Sequence, residues 1–449
     1  MGQNGSTQSD GRSERAPSGQ QPIFKSRLPG TAKPVRVLAK ALERSGAALH
    51  SASFSGASSA PDKPKDVRGA SFSHPPGENT PKSTTPSVPT PPVSPDQDKV
   101  DPTASDNLAT LSPPCFRRAR PVEESKEAKV IKLQRLLSAS NVDLHGLCNL
   151  CWSGSPPDYR AMIWRLLLGY TPSHVERREA TMARLRKDYL DCVPEHFDSE
   201  RSDYEDIQWK QIVVDLPRTN PSVALFSHPI IQECLHRILY IWTIRHPATG
   251  YVQGINDLAT PFLYVFLSEL LGPGVITGEG VETLDKASLD IVEADTFHCL
   301  TRMLDCVQDN YTFAQKGIQR KIFDLKRLIR RVDAPLHDHL EAQNIDFLQF
   351  SFRWMNCLLM RELNLTSTVR VWDAYVSEGV HFPTFHVYVC AAFLVHWSAN
   401  LQALDFAGTM TFLQHLPTED WKEDDVEMLL SQAYQWREMY NRSQAHLSQ

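Results

Sequence analysis

The sequence predicts an all-α globular part of many packed helices, preceded by a disordered segment. Three observations carry this. Apolar residues recur at spacings of three and four through most of the chain beyond residue 125, the period of one helix face. Strand-like alternation is scarce, and no internal repeat is evident. All 9 tryptophans lie beyond residue 125, whereas 18 of the 31 prolines lie before it.

Residues 1–125 bury too little apolar surface to offset their ordering entropy, so they read as a disordered Pro/Ser-rich tether. They hold 16 of the 47 Lys+Arg and 12 of the 53 Asp+Glu, which leaves 31 basic against 41 acidic residues in the remainder. A negative globular part argues against nucleic acid as a partner. The first fifty residues, with 8 basic and 3 acidic side chains, suit peripheral contact with an anionic membrane. The chain opens Met1-Gly2-Gln3-Asn4-Gly5-Ser6, which fits the acylation pattern that would place a myristoyl group on Gly2. The same residues also fit a plain polar start. Val35 to Arg44 could form a short amphipathic helix on binding. Thr80, Thr85, Thr90, Ser94 and Ser112 each precede a proline, the context of proline-directed phosphorylation.

The helical elements follow in order. Val130, Leu133, Leu136 and Leu137 mark the first, and Asn141 or Asp143 would cap the next. From His228 to Arg245, Ile231, Cys234, Leu235, Ile238 and Trp242 form a clear stripe that Pro247 ends. Asn256 to Leu271 is apolar almost all round, which predicts a buried central helix. Gly272 to Gly280 reads as a flexible surface loop. Further helices are expected over 289–306, 315–331, 345–361, 366–377, 384–398, 404–415 and 423–440, with a flexible tail over 442–449.

Several classes of chemistry lack their signatures. The patterns GxxxxGK[ST], GxSxG and HExxH are all absent. Cys148 and Cys151 form a single CxxC with no second pair at metal-ligand spacing, and the scattered cysteines read as reduced thiols. His337 and His339 lie two apart, on different helix faces, and read as surface residues. A helical metal enzyme built on these groups is a rival reading. No run of eighteen apolar residues occurs.

Two segments stand out, Ile212-Val213-Val214-Asp215-Leu216-Pro217-Arg218 and Tyr251-Val252-Gln253-Gly254-Ile255-Asn256-Asp257. Arg218 sits between Pro217 and Pro221, on a rigid loop, and Gln253 lies between turn signals and the start of the buried helix. From spacing alone, a surface salt bridge for Arg218 and a helix-start hydrogen bond for Gln253 remain open.

Three short motifs, in order, resemble the TBC-domain family of Rab GTPase-activating proteins. Arg160 to Trp164 resembles R-x-x-x-W, Ile212, Asp215 and Arg218 resemble I-x-x-D-x-x-R, and Tyr251, Gln253 and Gly254 resemble Y-x-Q-G. The likeness covers about residues 126–440, and within the family it points to the member 22 group through stretches such as IRHPATGYVQGINDL and FRWMNCLLMRE. One departure is Gly154-Ser155-Pro156, where the family often has Gly-Ile-Pro.

The resemblance implies a helical Rab-GAP domain over 126–441, with Arg218 as an arginine finger and Gln253 as a glutamine that orients water. Asp215, Tyr251 and Gly254 would support them, and Arg160 and Trp164 would serve the fold, with Arg165 either structural or facing the Rab. The partner would be a Rab-family small GTPase. GTP and Mg²⁺ would belong to that partner, so the chain would need no cofactor of its own and would activate hydrolysis rather than be an enzyme itself. The member 22 likeness implies vesicle trafficking, a peripheral place on Golgi or other endomembranes, and a Golgi adaptor held by the tether. The rival reading is a non-catalytic helical scaffold that binds Rabs or adaptors.

Overall fold

The computed structural model describes residues 126–444, residue 198 excepted. The expected tether, Gly2, the 35–44 helix and the phosphorylation contexts lie outside the described residues.

Sixteen α-helices joined by short 3₁₀ turns make up the described region, and no β-strand occurs among the described residues. Three short-range signals explain where many of the helices start. Asp143, Ser202, Asp285, Asp333, Asp346, Asn364 and Asp405 each accept a hydrogen bond from a backbone amide of the following first turn. At Ser202 and Asp346 a reciprocal bond from the third helical residue completes a capping box. Pro229 and Pro157 sit at helix starts, where a missing N–H costs nothing. Asp143, rather than Asn141, caps the second helix, its carboxylate accepting from Gly146 N at 3.0 Å.

The first three helices are α1 (Lys126–Ser138), α2 (Leu144–Cys151) and α3 (Pro157–Leu167). Next come α4 (Val175–His196), α5 (Asp203–Asp215) and α6 (Pro229–Arg245). The central helix α7 (Ile255–Leu271) is buried from Ile255 through Leu267, as its all-round apolar sequence predicts. It packs against α3, α6, α8 (Lys286–Asp305), α11 (Phe347–Cys357) and α12 (Leu365–Glu378). Pro261 interrupts α7 without breaking it. The proline cannot serve the Asp257 carbonyl one turn back, and Thr260 Oγ1 donates to that oxygen instead at 2.8 Å.

A second group joins α9 (Lys316–Val332), α10 (Ala334–Ala342), α12, α13 (Phe382–His396) and the last helix α16 (Glu423–Gln444). The short α14 (Ser398–Gln402) and α15 (Phe406–Gln414) complete the chain order before it. Trp164, Phe262 and Trp372 link α3, α7 and α12, with ring centroids 5.4 and 5.5 Å apart around Phe262. Such aromatic contacts contribute beyond their buried area.

Several expectations change. Helices α3, α4 and α5 lie outside the helices expected from periodicity. On α4 only Tyr189 is fully buried, and on α5 the buried positions are Gln208, Ile212 and Asp215, so neither carries a broad apolar stripe. Helix α11 stops at Cys357, because Leu358 and Leu359 turn left-handed at φ 49° and 63°. The Gly272–Gly280 stretch is not a loose loop: it forms a 3₁₀ turn over Pro273–Thr277 that buries Val275. Helix α16 continues through Gln444, past the expected tail boundary. His337 is buried, and His339 is part-buried with Nε2 3.1 Å from the Leu404 carbonyl, so neither is a plain surface residue.

Candidate functional site

Helix α5 delivers the first candidate side chain. Pro217 has no N–H to continue the helical ladder, and the chain tightens into a 3₁₀ turn over Leu216–Arg218. Asn220, at φ 41°, then turns the chain away. Arg218 stands at the end of this turn with its side chain 59 % exposed, and Asp215 beneath it is 7 % exposed. An Nη2 of Arg218 donates to Asp215 Oδ1, and Nε donates to the Val214 carbonyl at 3.2 Å. A guanidinium has five N–H donors. Those two contacts hold its base while the outer edge has no partner among the described residues.

The second loop lies at the start of α7. Gln253 is exposed, whereas Tyr251 and Gly254 on either side are buried. Gly254 sits at φ 107°, and a Cβ there would come 2.4 Å from Asn356 Nδ2. Glycine is therefore required twice, by backbone conformation and by space. Asn356 Nδ2 donates to the Gln253 carbonyl at 2.9 Å and so fixes the backbone that carries the glutamine.

A buried hydrogen-bonded ring joins the two loops. Tyr251 Oη lies 2.9 Å from Asp215 Oδ2, to which it donates, and 3.1 Å from Asn256 Oδ1. Asn256 Nδ2 donates to Thr219 Oγ1 at 2.9 Å, and Thr219 Oγ1 donates to the Asp215 carbonyl at 3.0 Å. Asn256 Oδ1 also accepts from Gly254 N at 3.0 Å, and Gln208 Oε1 accepts from Tyr251 N at 2.6 Å. Burial and the adjacent Asp215 carboxylate raise the Tyr251 phenol above its ordinary range, so it remains a donor at neutral pH. Below the ring, Asp257 accepts from Arg361 Nε at 2.7 Å. Burial raises the Asp257 carboxyl, and the Arg361 guanidinium opposes that shift.

The structure thus brings Asp215, Arg218, Tyr251, Gln253 and Gly254 into one site. Gln208, Thr219, Asn256, Asn356, Asp257 and Arg361 also belong to it, and none of them is among the site residues expected from the sequence. A signal was available for some of them: a polar residue at an otherwise buried helical position needs a partner, and Gln208, Asn256 and Asn356 are such residues.

Arg160 and Trp164 lie elsewhere, in a structural knot. Asp373 on α12 accepts from Arg160 Nε at 3.2 Å, from Trp164 Nε1 at 2.8 Å and from Ser155 N at 2.8 Å. The departure at Ser155 therefore belongs to this knot. Arg165 is also internal: it pairs with Glu269 through both Nη groups at 2.9 and 2.6 Å and with Asp295 through Nε at 2.8 Å. Cys151 is buried and Cys148 part-buried, both as free thiols, and burial raises the Cys151 thiol to about 12.

An all-α scaffold that presents an exposed arginine and an exposed glutamine over one buried anchor defines a class that comparison makes specific. Residues 157–402 match the Rab-GTPase-TBC domain family. The chain belongs to that family. It is 48 % identical over 323 residues to "GTPase-activating protein gyp1" of Schizosaccharomyces pombe, covering 71 % of this chain and 63 % of that protein. It is 44 % identical over 340 residues to human "TBC1 domain family member 22B", covering 76 % of this chain and 67 % of that protein. The chain thus spans under two thirds of the length of the Schizosaccharomyces pombe relative. The crystal structure of the Ypt/Rab-GAP domain of Gyp1p superposes with a TM-score of 0.66 at 44 % identity, covering 70 % of this chain and 98 % of that one.

One sequence-based expectation is corrected. The expectation places the chain outside the enzymes because it would supply residues in trans. The family it matches consists of GTPase-activating proteins, which are catalytic activators, and that match overturns the non-enzyme reading. Supplying residues in trans is itself catalysis when those residues stabilise the transition state and are regenerated unchanged.

Proposed function

We propose that this chain accelerates GTP hydrolysis by a Rab-family GTPase, inserting Arg218 and Gln253 together into the partner's nucleotide site. The observation that supports it is the shared buried ring: the two exposed side chains leave the surface from loops tied to one another through Asp215, Tyr251, Asn256 and Thr219.

Phosphoryl transfer spreads negative charge over the transferring group's oxygens. A guanidinium offers a fixed positive charge and a planar fork of donors to those oxygens. An arginine supplied in trans is worth on the order of 10³–10⁵ in rate. Held at its base by Asp215 and the Val214 carbonyl, Arg218 meets the phosphate with little orientation left to lose. The Gln253 amide accepts from the attacking water and donates elsewhere, which orients the water without adding charge. Val213 and Val214, exposed beside the arginine turn, give the partner apolar surface to cover. GTP and Mg²⁺ come with the GTPase.

The wider role in vesicle traffic, a Golgi or other endomembrane location, an adaptor bound by residues 1–125 and acylation of Gly2 are further parts of this proposal. They rest on the member 22 likeness and on the sequence of the first residues.

Single-turnover GTP hydrolysis by a panel of purified Rab proteins, with and without the full chain, tests the central reading. Strong stimulation of a subset supports it and names the substrate. A folded chain that binds Rabs but stimulates none of them leaves a scaffold.

A further inference from the structure

Helix α9 concentrates positive charge on its outward face. Lys316, Arg320, Phe323, Arg327, Arg330 and Arg331 are all exposed. Their spacings of 4, 7, 11, 14 and 15 residues place them on one side of the helix, a stripe about 22 Å long at the helical rise per residue. This stripe stands out in a region, residues 126–449, that carries 31 basic against 41 acidic residues.

The charges are partly compensated, since Asp324, exposed on the same helix, attracts Arg327 and Arg320. Asp309 takes up Lys321 at 3.2 Å and Arg320 at 3.5 Å, and Glu341 takes up Lys326 at 2.6 Å. Lys316, Arg327, Arg330 and Arg331 form no ion pair among the described residues. Phe323 lies amid them, 61 % exposed, with the Arg327 guanidinium 5.7 Å from its ring centre. The opposite face of α9 is fully used, with Ile318, Ile322, Leu325, Leu328 and Ile329 in the core. Within the stripe, Arg331 lies 5.1 Å from the ring centre of Tyr440 on α16 and Arg320 reaches Asp309, so these two also serve the fold.

A cavity of about 580 Å³ opens beside the stripe, lined by Arg320, Lys321, Arg327, Arg331 and Tyr440 among others. Three carboxylates, Asp305, Asp309 and Asp324, also line it and leave it positive by one charge. It has room for a phosphorylated headgroup, and the outer stripe adds charge along its rim.

We propose that this face of α9 docks the protein on a membrane with phosphate-bearing anionic lipids, the arginines meeting headgroups and Phe323 entering the interface. An extended cationic stripe suits a sheet of negative charge, and an exposed aromatic ring among arginines suits the boundary between headgroups and acyl chains. The inference does not depend on the GTPase reading, since no residue of the Arg218–Gln253 site lies on α9.

The test is sedimentation of the full chain, unacylated, with neutral phosphatidylcholine vesicles and with vesicles that also contain phosphatidylinositol 4-phosphate. The wild type is compared with an Arg327→Glu/Arg331→Glu variant, an independent Lys316→Glu/Arg330→Glu variant and Phe323→Ala, all of which keep residues 1–125. Each contact near the surface is worth roughly a severalfold change in affinity, so each double charge reversal weakens binding to the anionic vesicles by on the order of tenfold or more. Phe323→Ala weakens it less. Neutral vesicles bind none of the proteins. Thermal midpoints of the Lys316→Glu/Arg330→Glu and Phe323→Ala variants, and stimulation of lipid-free GTPase by all of them, stay at wild-type values. Equal sedimentation of wild type and both double variants overturns the proposal, as does a wild type that ignores the anionic vesicles. So does binding of free inositol phosphate without vesicle binding. Loss of stimulation of the lipid-free GTPase in both double variants would reassign the face to a protein contact.

Discussion

Tyr251 Oη donates to Asp215 Oδ2 across 2.9 Å, and this bond joins the loop that carries Arg218 to the loop that carries Gln253. Asp215 uses its other oxygen to hold Arg218, so one buried carboxylate orients the arginine and is itself oriented by the neighbour of the glutamine. The arrangement fixes the roots of two exposed side chains while leaving their tips free for a partner.

Arg218→Ala removes an exposed side chain and is expected to leave the fold intact. The stimulated hydrolysis rate should fall on the order of 10³-fold or more. Single-turnover assays with a cognate Rab, beside a thermal unfolding curve within a degree or two of wild type, check both halves. Residual activity near the wild-type level would remove Arg218 from the mechanism.

Tyr251→Phe keeps the ring and deletes one hydroxyl. Asp215 Oδ2 loses a buried donor, at a cost of roughly 1–3 kcal/mol in stability. Denaturant titration reads that loss. Stimulated hydrolysis should fall as well, because both loops share the bond. Loss of stability with full activity would show that the ring serves the fold alone.

Asn356→Ala frees the Gln253 carbonyl and lets the glutamine loop drift. A misplacement of that kind costs on the order of tenfold to a hundredfold in rate. Rab binding, measured separately, should change little, so the effect appears in the rate at saturating activator.

Gly254→Ala is expected to fail more severely. The φ of 107° disfavours any Cβ, and the Asn356 amide stands in its place. Strain of roughly 1–3 kcal/mol follows. Rescue by Asn356→Gly in the double variant, seen as a partial return of thermal stability, would separate the clash from the backbone strain.

His386 supplies a test in pH. It is buried between the Tyr375 hydroxyl at 2.7 Å and the Trp354 carbonyl at 3.1 Å, and burial lowers its pKa to about 3. The ordinary value is near 6.5. Between those values the unfolded chain binds the proton and the folded one does not, so stability falls as pH drops below about 6.5. From pH 6.5 to 5 this one group removes about 2 kcal/mol at most. Urea midpoints across that range should decline less steeply for His386→Gln than for wild type. Parallel declines would show that His386 ionises freely in the folded protein.

Much of the helical architecture was legible in the sequence. The stripe from Ile231 to Trp242 and the all-round apolar run of α7 both correspond to buried helices, because their pattern reports burial directly. Helix α5 was not legible for the opposite reason. Its buried face is Gln208, Ile212 and Asp215, and two of these three turn polar atoms toward Tyr251 instead of into an apolar core. A helix whose inner face serves a site loses the hydrophobic signal that would announce it.

By itself the sequence determined the all-α class, the central helix and the two short segments that contain Arg218 and Gln253, since helical period and structure breakers act over a few residues. Only the tertiary structure decided that these segments share one anchor, that Asn356 holds the glutamine backbone from 103 residues away, and that Arg165 is internal. Those choices depend on which buried polar groups meet. Each must find a partner when it leaves water, and the partner's identity is set by packing between distant helices.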